Sequence, residues 1–369
     1  MAQPDHVVLQ LVYTLSQRNG IIPLVASGLL SGIAVIYLLL TIITYSKKYN
    51  STHFMLYFVC LLLSDVMQSA GSIISLNWLR HGGVYEGPLC AAQGGLKQGG
   101  NIAAAVWSFV ISFHLFNLLF LRYETPKYVS WSVVAFGWSF VFSIVFLGPV
   151  AIENPKQGPF FGISGEWCWI TSEYKLEQIL MQYLFEFTSV IFSTFLYTAT
   201  LLRARGNLIK VDGRWVLRFL SAGDSWQLDF GRDFTDAASL RFIKHMIWYP
   251  VAYAVLIMPI ALVRISAFAG VKPAFWVTVV ADLIFNLYGF VDVVLFFSVY
   301  RVFPETASLP EFSRRKTVDL SVLQYGITPF SLGESEPKPL SPTYSGGGRP
   351  NRNSTVSMSS VTSQTPLRP

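Results

Sequence analysis

Charge is what this sequence has least of: 13% of its 369 residues are Asp, Glu, Lys or Arg, about half the share found in an average soluble domain. Such a chain lacks the polar surface that a water-soluble globule needs. Catalytic signatures are missing too. There is no His-Glu-x-x-His, no nucleophile elbow and no phosphate-cradling glycine loop, so no convergent set of catalytic groups points to an enzyme. Nothing calls for a metal or another cofactor. Residues 274–300 contain no lysine, which excludes a retinal-binding pump. The two halves of the chain show no internal repeat, as a secondary transporter normally would. Met1 to Gly20 has no basic leading region and its apolar run is broken by Gln10, so the first membrane helix is expected to act as its own signal.

What the sequence has in excess is apolar residues, 52% of the chain, gathered in long blocks. A helix needs about 20 mainly apolar residues to cross a bilayer, because irregular backbone would leave polar groups unsatisfied in hydrocarbon. Seven blocks qualify: residues 21–45, 54–76, 94–121, 129–152, 179–202, 242–268 and 274–300. The third is the weakest, since Gly99, Gly100 and Asn101 dilute its start. The expected fold is therefore an all-α membrane protein, a bundle of seven transmembrane helices.

The net charge of +6 does not imply nucleic acid, because the basic residues lie between apolar blocks and form no patch with interleaved aromatics. It reports topology instead. With the amino terminus outside, the cytoplasmic side holds 20 of the 27 Lys and Arg residues and the outer side holds 6, as the positive-inside rule requires. In this orientation Cys90 and Cys168 are both outside, where an oxidising compartment would let them join; the alternative is two free thiols. Cys60 falls inside the second span as a packing residue.

The chain thus divides into an extracellular segment at 1–20, a helical membrane domain at 21–303 and a cytoplasmic tail at 304–369. The loop at 203–241 is long for a connection between packed helices. Its Arg214, Trp215, Arg218, Phe219 and Trp226 suit the inner membrane surface, and Asp233 to Lys244 reads as a capped helical extension of the sixth span. The tail is rich in Pro, Ser, Thr and Gly and is expected to be disordered. Thr317 and Ser354 follow basic residues as phosphorylation sites do; the alternative is incidental matching in a low-complexity tail.

Ionisable groups inside a span are costly and mark function by default. Asp65, Asn117, Asn286 and Asp292 form a candidate polar core, either a site for water or a cation or a static hydrogen-bond network. Glu186 in the fifth span and His114 in the third are further polar positions. Towards the outer end, Lys97, Arg264, Asp282, Trp167 and Trp169 are candidate ligand-pocket residues; the alternative for Arg264 and Asp282 is that they simply reach the interface. Pro250 and Pro259 each remove a backbone hydrogen bond and can kink the sixth helix; either its inner end can swing, or packing alone tolerates the two prolines.

Tyr249, Pro250, Tyr253, Pro259 and Arg264 in the sixth span, taken with Asn286, Tyr288, Gly289, Phe290 and Asp292 in the seventh, form a pattern that resembles the fungal glucose-sensing and slime-mould cyclic-AMP receptor group of G-protein-coupled receptors. Glu166-Trp167-Cys168-Trp169-Ile170 and Leu63-Ser64-Asp65 are similar to that group as well. The resemblance implies a plasma-membrane receptor that senses an extracellular stimulus, with a nutrient as one candidate, and activates a heterotrimeric G protein through its Gα subunit, feeding cyclic-AMP signalling. Arg122, Tyr123, Lys127, Arg203, Arg241 and Lys244 are the candidate G-protein face. Leu121 stands where rhodopsin-type receptors carry an acid beside the Arg-Tyr pair, so their ionic restraint on that arginine cannot form locally. The seventh span also lacks Asn-Pro-x-x-Tyr. The expected partners are Gα, the lipid bilayer and an extracellular ligand of open identity, and the sequence neither requires nor excludes a homo-oligomer. The alternative function is a seven-helix transporter or a sensor that works without a G protein.

Overall fold

The structure, a computed structural model, describes residues 10–45, 53–121, 123, 125–205, 207–211, 214–217, 248–271 and 273–302. Seven helices in it are long and apolar enough to cross a membrane: Leu15–Thr44, Phe54–His81, Pro88–Leu121, Lys127–Ile152, Ser172–Arg203, Trp248–Phe268 and Phe275–Ser298. In the second and seventh, 56% of the membrane window is buried inside the protein, against 17% in the fourth. The second and seventh therefore run through the middle of the bundle and the fourth lies at its rim.

The first span begins earlier than the expected residue 21 because Thr14 caps it. The Thr14 hydroxyl accepts from the Gln17 amide at 3.3 Å while the Gln17 side chain accepts from the Thr14 amide at 2.9 Å, a capping box that satisfies two exposed donors. The third span begins at Pro88, ahead of the expected residue 94, with proline at the start of the helix, where its missing N–H is not needed. Gln93, Lys97 and Gln98 lie near this start and are buried in the bundle, so their polarity never meets lipid.

Small residues set the central contacts. A Cβ on Gly28 would stand 2.6 Å from Ser72 Cβ, and one on Gly100 would stand 2.8 Å from the backbone nitrogen of Gln68. The glycines that diluted the third span's hydropathy are thus what lets it approach the second. Gly100→Val is expected to cost about 1–3 kcal/mol by overpacking against backbone that cannot yield. A lowered thermal midpoint in detergent would bear this out, and an unchanged one would contradict it.

The seventh span is not one helix. It breaks at Leu287 into Phe275–Asn286 and Tyr288–Val302. Ser31 of the first span fills the gap, its hydroxyl oxygen accepting from the Phe290 amide at 3.1 Å. Gly289 makes this approach possible, since a Cβ there would lie 2.7 Å from Ser31 Oγ and 3.0 Å from Asp65 Cβ. In the sixth span Pro259 is interior, whereas Pro250 stands in the first described turn, so only Pro259 interrupts described helix on both sides. Three spans contain π-wound turns, at Phe116–Leu121, Gly148–Ile152 and Ile179–Tyr183.

Six short strands complete the described structure. β1 (Gln10–Val12) pairs antiparallel with β2 (Gly83–Tyr85), and β3 (Phe161–Ile163) pairs with β4 (Cys168–Ile170), both at one end of the bundle. β5 (Leu208–Val211) pairs with β6 (Arg214–Leu217) at the other. The expected helical extension at 233–244 and the tail at 304–369 lie outside the described residues.

Candidate functional site

The β3–β4 hairpin is a cover held from beneath. Cys168 is joined to Cys90 at the start of the third span, with Cα atoms 5.2 Å apart, as expected from their shared side of the membrane. Gln93, one turn further along, is fully buried and uses its whole amide. Its oxygen accepts from Trp78 Nε1 at 2.7 Å and from the Cys168 amide at 2.9 Å, and its nitrogen donates to Gly71 O and Ser75 Oγ, each at 2.9 Å. The Tyr13 hydroxyl donates to Glu166 O at 2.7 Å, adding the segment after β1 to the cover. Burial, and then the nearby Glu166 charge, raise the Tyr13 phenol above its ordinary value, so it remains a neutral donor.

Beneath this cover lies a small cavity, partly open to solvent. All five expected pocket residues line it: Lys97, Trp167, Trp169, Arg264 and Asp282. Lys97 Nζ stands 4.0 Å from Asp282 Oδ2 and 4.9 Å from the Trp167 ring centre. The Arg264 guanidinium lies 5.0 Å from the Trp169 ring and 5.8 Å from that of Trp167, so the two indoles carry both cations on their faces. Trp169 is fixed in turn, its Nε1 donating to Gln182 Oε1 at 2.8 Å.

Glu186, Gln68, Asn101 and Gln182 also line the cavity, and none of them was among the expected pocket residues. A signal was present. Lys97 and Asn101, Gln182 and Glu186, and Asp282 and Asn286 are each four residues apart, so three helices each turn two polar groups to one face. Four atoms here, Gln68 Nε2, Asn101 Oδ1, Glu186 Oε1 and Arg264 Nε, are buried without a hydrogen-bond partner among the described residues. Buried polar groups are ordinarily paired. The cavity thus gathers two basic and two acidic side chains together with two unpaired donors and two unpaired acceptors.

Deeper in the bundle the expected polar core divides. Asn286 belongs with the cavity: its side-chain nitrogen donates to Asp282 Oδ2 at 3.1 Å and its oxygen accepts from Ser72 Oγ at 2.9 Å. Asp65 and Asp292 are buried, and none of their carboxylate oxygens has a hydrogen-bond partner among the described residues. Tyr288 lies beside them, its hydroxyl 3.1 Å from Ser108 Oγ. Asn117 is nine residues beyond Ser108, about 13 Å of helix, in the π-wound end of the third span, and does not join this pair.

At the end opposite the disulfide, Tyr123 and Lys127 are exposed. Arg203 is engaged: its guanidinium donates to Phe120 O and lies over the rings of Phe120 and Trp215, at 4.9 and 5.1 Å. Arg122, Arg241, Lys244, Thr317 and Ser354 lie outside the described residues.

The bundle is similar to squid rhodopsin, with a TM-score of 0.56 and 14% identity over 82% of this chain and 90% of that one. Residues 236–302 match the C-terminal family model described as the G protein-coupled glucose receptor regulating Gpa2. That stretch therefore matches the C-terminal part of a G-protein-coupled receptor family, and it is carried on a seven-helix bundle with the rhodopsin fold. The matched stretch contains Tyr249, Pro250, Tyr253, Arg264, Asn286, Gly289 and Asp292, residues on which the resemblance in the sequence rests. No curated protein matches the chain significantly. With seven helices able to cross a bilayer, the chain is a multi-pass membrane protein.

Proposed function

We propose that the receptor sits in the plasma membrane with its disulfide end outside, binds a small neutral polar nutrient of the sugar class in the covered cavity, and promotes nucleotide exchange on a Gα subunit of the Gpa2 kind, feeding cyclic-AMP signalling. The observation that carries this reading is the set of four unpartnered buried polar atoms around one cavity. Sugar hydroxyls both donate and accept, so one ring can satisfy Gln68, Asn101, Glu186 and Arg264 together. The family model matched at 236–302 describes a glucose receptor regulating Gpa2, which supports both the ligand class and the partner. The excess of Lys and Arg at the opposite end and the disulfide support the orientation.

A ligand activates such a receptor only through tighter binding to the active arrangement. Glu186 and Arg264 stand on the fifth and sixth spans, so a molecule bridging them links the helices whose movement matters. The test is GTPγS binding to Gα by the purified receptor in lipid nanodiscs, titrated with glucose and with other sugars. A saturable response is expected, with Glu186→Gln raising the half-maximal concentration about tenfold, the size of one lost charge-assisted hydrogen bond. An unchanged dose response in Glu186→Gln would remove the cavity from the reading. Sugar uptake into vesicles without any exchange would replace it with transport.

A further inference from the structure

We propose that the β5–β6 hairpin is an autoinhibitory clasp, which ties the ends of the third and fifth spans together in the resting receptor and must release before a Gα subunit binds. This rests on the G-protein-coupling reading above. The hairpin starts at Leu208, shortly after the helix Leu184–Arg205, and its register sets Lys210 opposite Trp215 and Val211 opposite Arg214. This folds the chain back onto the third span. Trp215 meets Phe120 with ring centres 5.0 Å apart, and Phe120 stacks in turn on Phe116 at 4.5 Å. Arg203 of the fifth span closes the group, its guanidinium over both rings and bonded to the Phe120 carbonyl.

The place is suited to a switch. Phe116–Leu121 is π-wound, and such turns recur where helices carry function. Leu121 stands where rhodopsin-type receptors carry an acid, and the Arg203–Phe120–Trp215 group is a contact that joins the third and fifth spans at this end. It is also shallow. Trp215 remains 45% exposed, and its neighbours Arg214, Val216 and Leu217 are exposed as well. An element with so little buried surface opens at small cost. Because the clasp joins two spans, a partner that separates them must displace it, and loss of the clasp shifts the resting population towards the active form.

The experiment uses the full-length receptor in lipid nanodiscs with G protein and no stimulus. Trp215→Ala is expected to raise basal GTPγS binding about threefold to tenfold, the shift that follows from losing an interaction of cation–π size. Trp215→Phe, which keeps a ring for Arg203, is expected to stay near the wild type. Hydrogen exchange on the wild-type receptor is the second readout, independent of how the variants fold: amides at 208–217 should exchange faster once nucleotide-free G protein is bound. Basal binding in Trp215→Ala equal to wild type, or unchanged protection at 208–217 in the complex, overturns the clasp. If the stimulated wild-type receptor drives no exchange at all, the coupling reading fails and the clasp falls with it.

Discussion

Cys90→Ser is expected to abolish the response to stimulus and to lower the thermal midpoint more than any other single change outside the core. The bond closes a ring with a sequence separation of 78, and chain-entropy arguments assign a ring of that size about 4–5 kcal/mol of stabilisation. The functional loss has a separate cause. Cys168 is flanked by Trp167 and Trp169, which form the cavity's aromatic wall and carry Lys97 and Arg264 on their faces. Without the bond, β4 is held by packing, by the Gln93 hydrogen bond to the third span and by its pairing with β3, so the wall loses its covalent anchor. Thermal denaturation in detergent of Cys90→Ser, and of the wild type with and without reductant, measures the effect. Reduced wild type and Cys90→Ser should agree; a midpoint insensitive to both treatments would refute the assignment.

Asp282→Ala should be nearly as damaging, for an electrostatic reason. Lys97 is buried, with Asp282 as the counter-charge 4.0 Å away and Arg264 sharing the same cavity. Removing one member of a buried pair leaves the other uncompensated, typically at a cost of about 3–5 kcal/mol, whereas removing both is often close to neutral. The double variant Lys97→Met with Asp282→Ala is therefore expected to recover most of the stability lost by Asp282→Ala, without recovering the response to stimulus. Asp282→Asn should fall between, because an amide oxygen can still accept from Asn286. Thermal midpoints of the wild type, the two single variants and the double variant form a double-mutant cycle. Strict additivity would show that Lys97 and Asp282 do not act as a pair.

Much of this molecule is legible in its amino-acid sequence. The seven spans stand out because hydrocarbon imposes a length and an apolar composition on anything that crosses it. The five expected pocket residues meet at one cavity: Lys97, Arg264 and Asp282 because charge in a span must turn inward, and Trp167 and Trp169 because the β3–β4 hairpin that carries them covers it. Span ends are less legible. Thr14 starts its helix by capping and Pro88 by standing at the first helical position, and the polar residues near the third span's start, such as Gln93 and Lys97, are hidden in protein, which hydropathy cannot distinguish from exposure to lipid. The β5–β6 hairpin is not legible at all, since its aromatic and basic residues fit a membrane-surface segment equally well.

By itself the sequence determined the solvent, the number of crossings and which side chains must avoid lipid, because these follow from transfer free energies summed along a chain. Tertiary structure decided what those side chains face. Asn286 joined the cavity and not the deep carboxylates because the seventh span breaks at Leu287 and closes against Ser31. Glu186 became a cavity residue, and Asn117 was separated from Asp65 and Asp292, through the rotation and depth of neighbouring helices. Such contacts depend on close approaches at residues such as Gly100 and Gly289, where packing between helices distant in sequence, not local composition, sets the geometry.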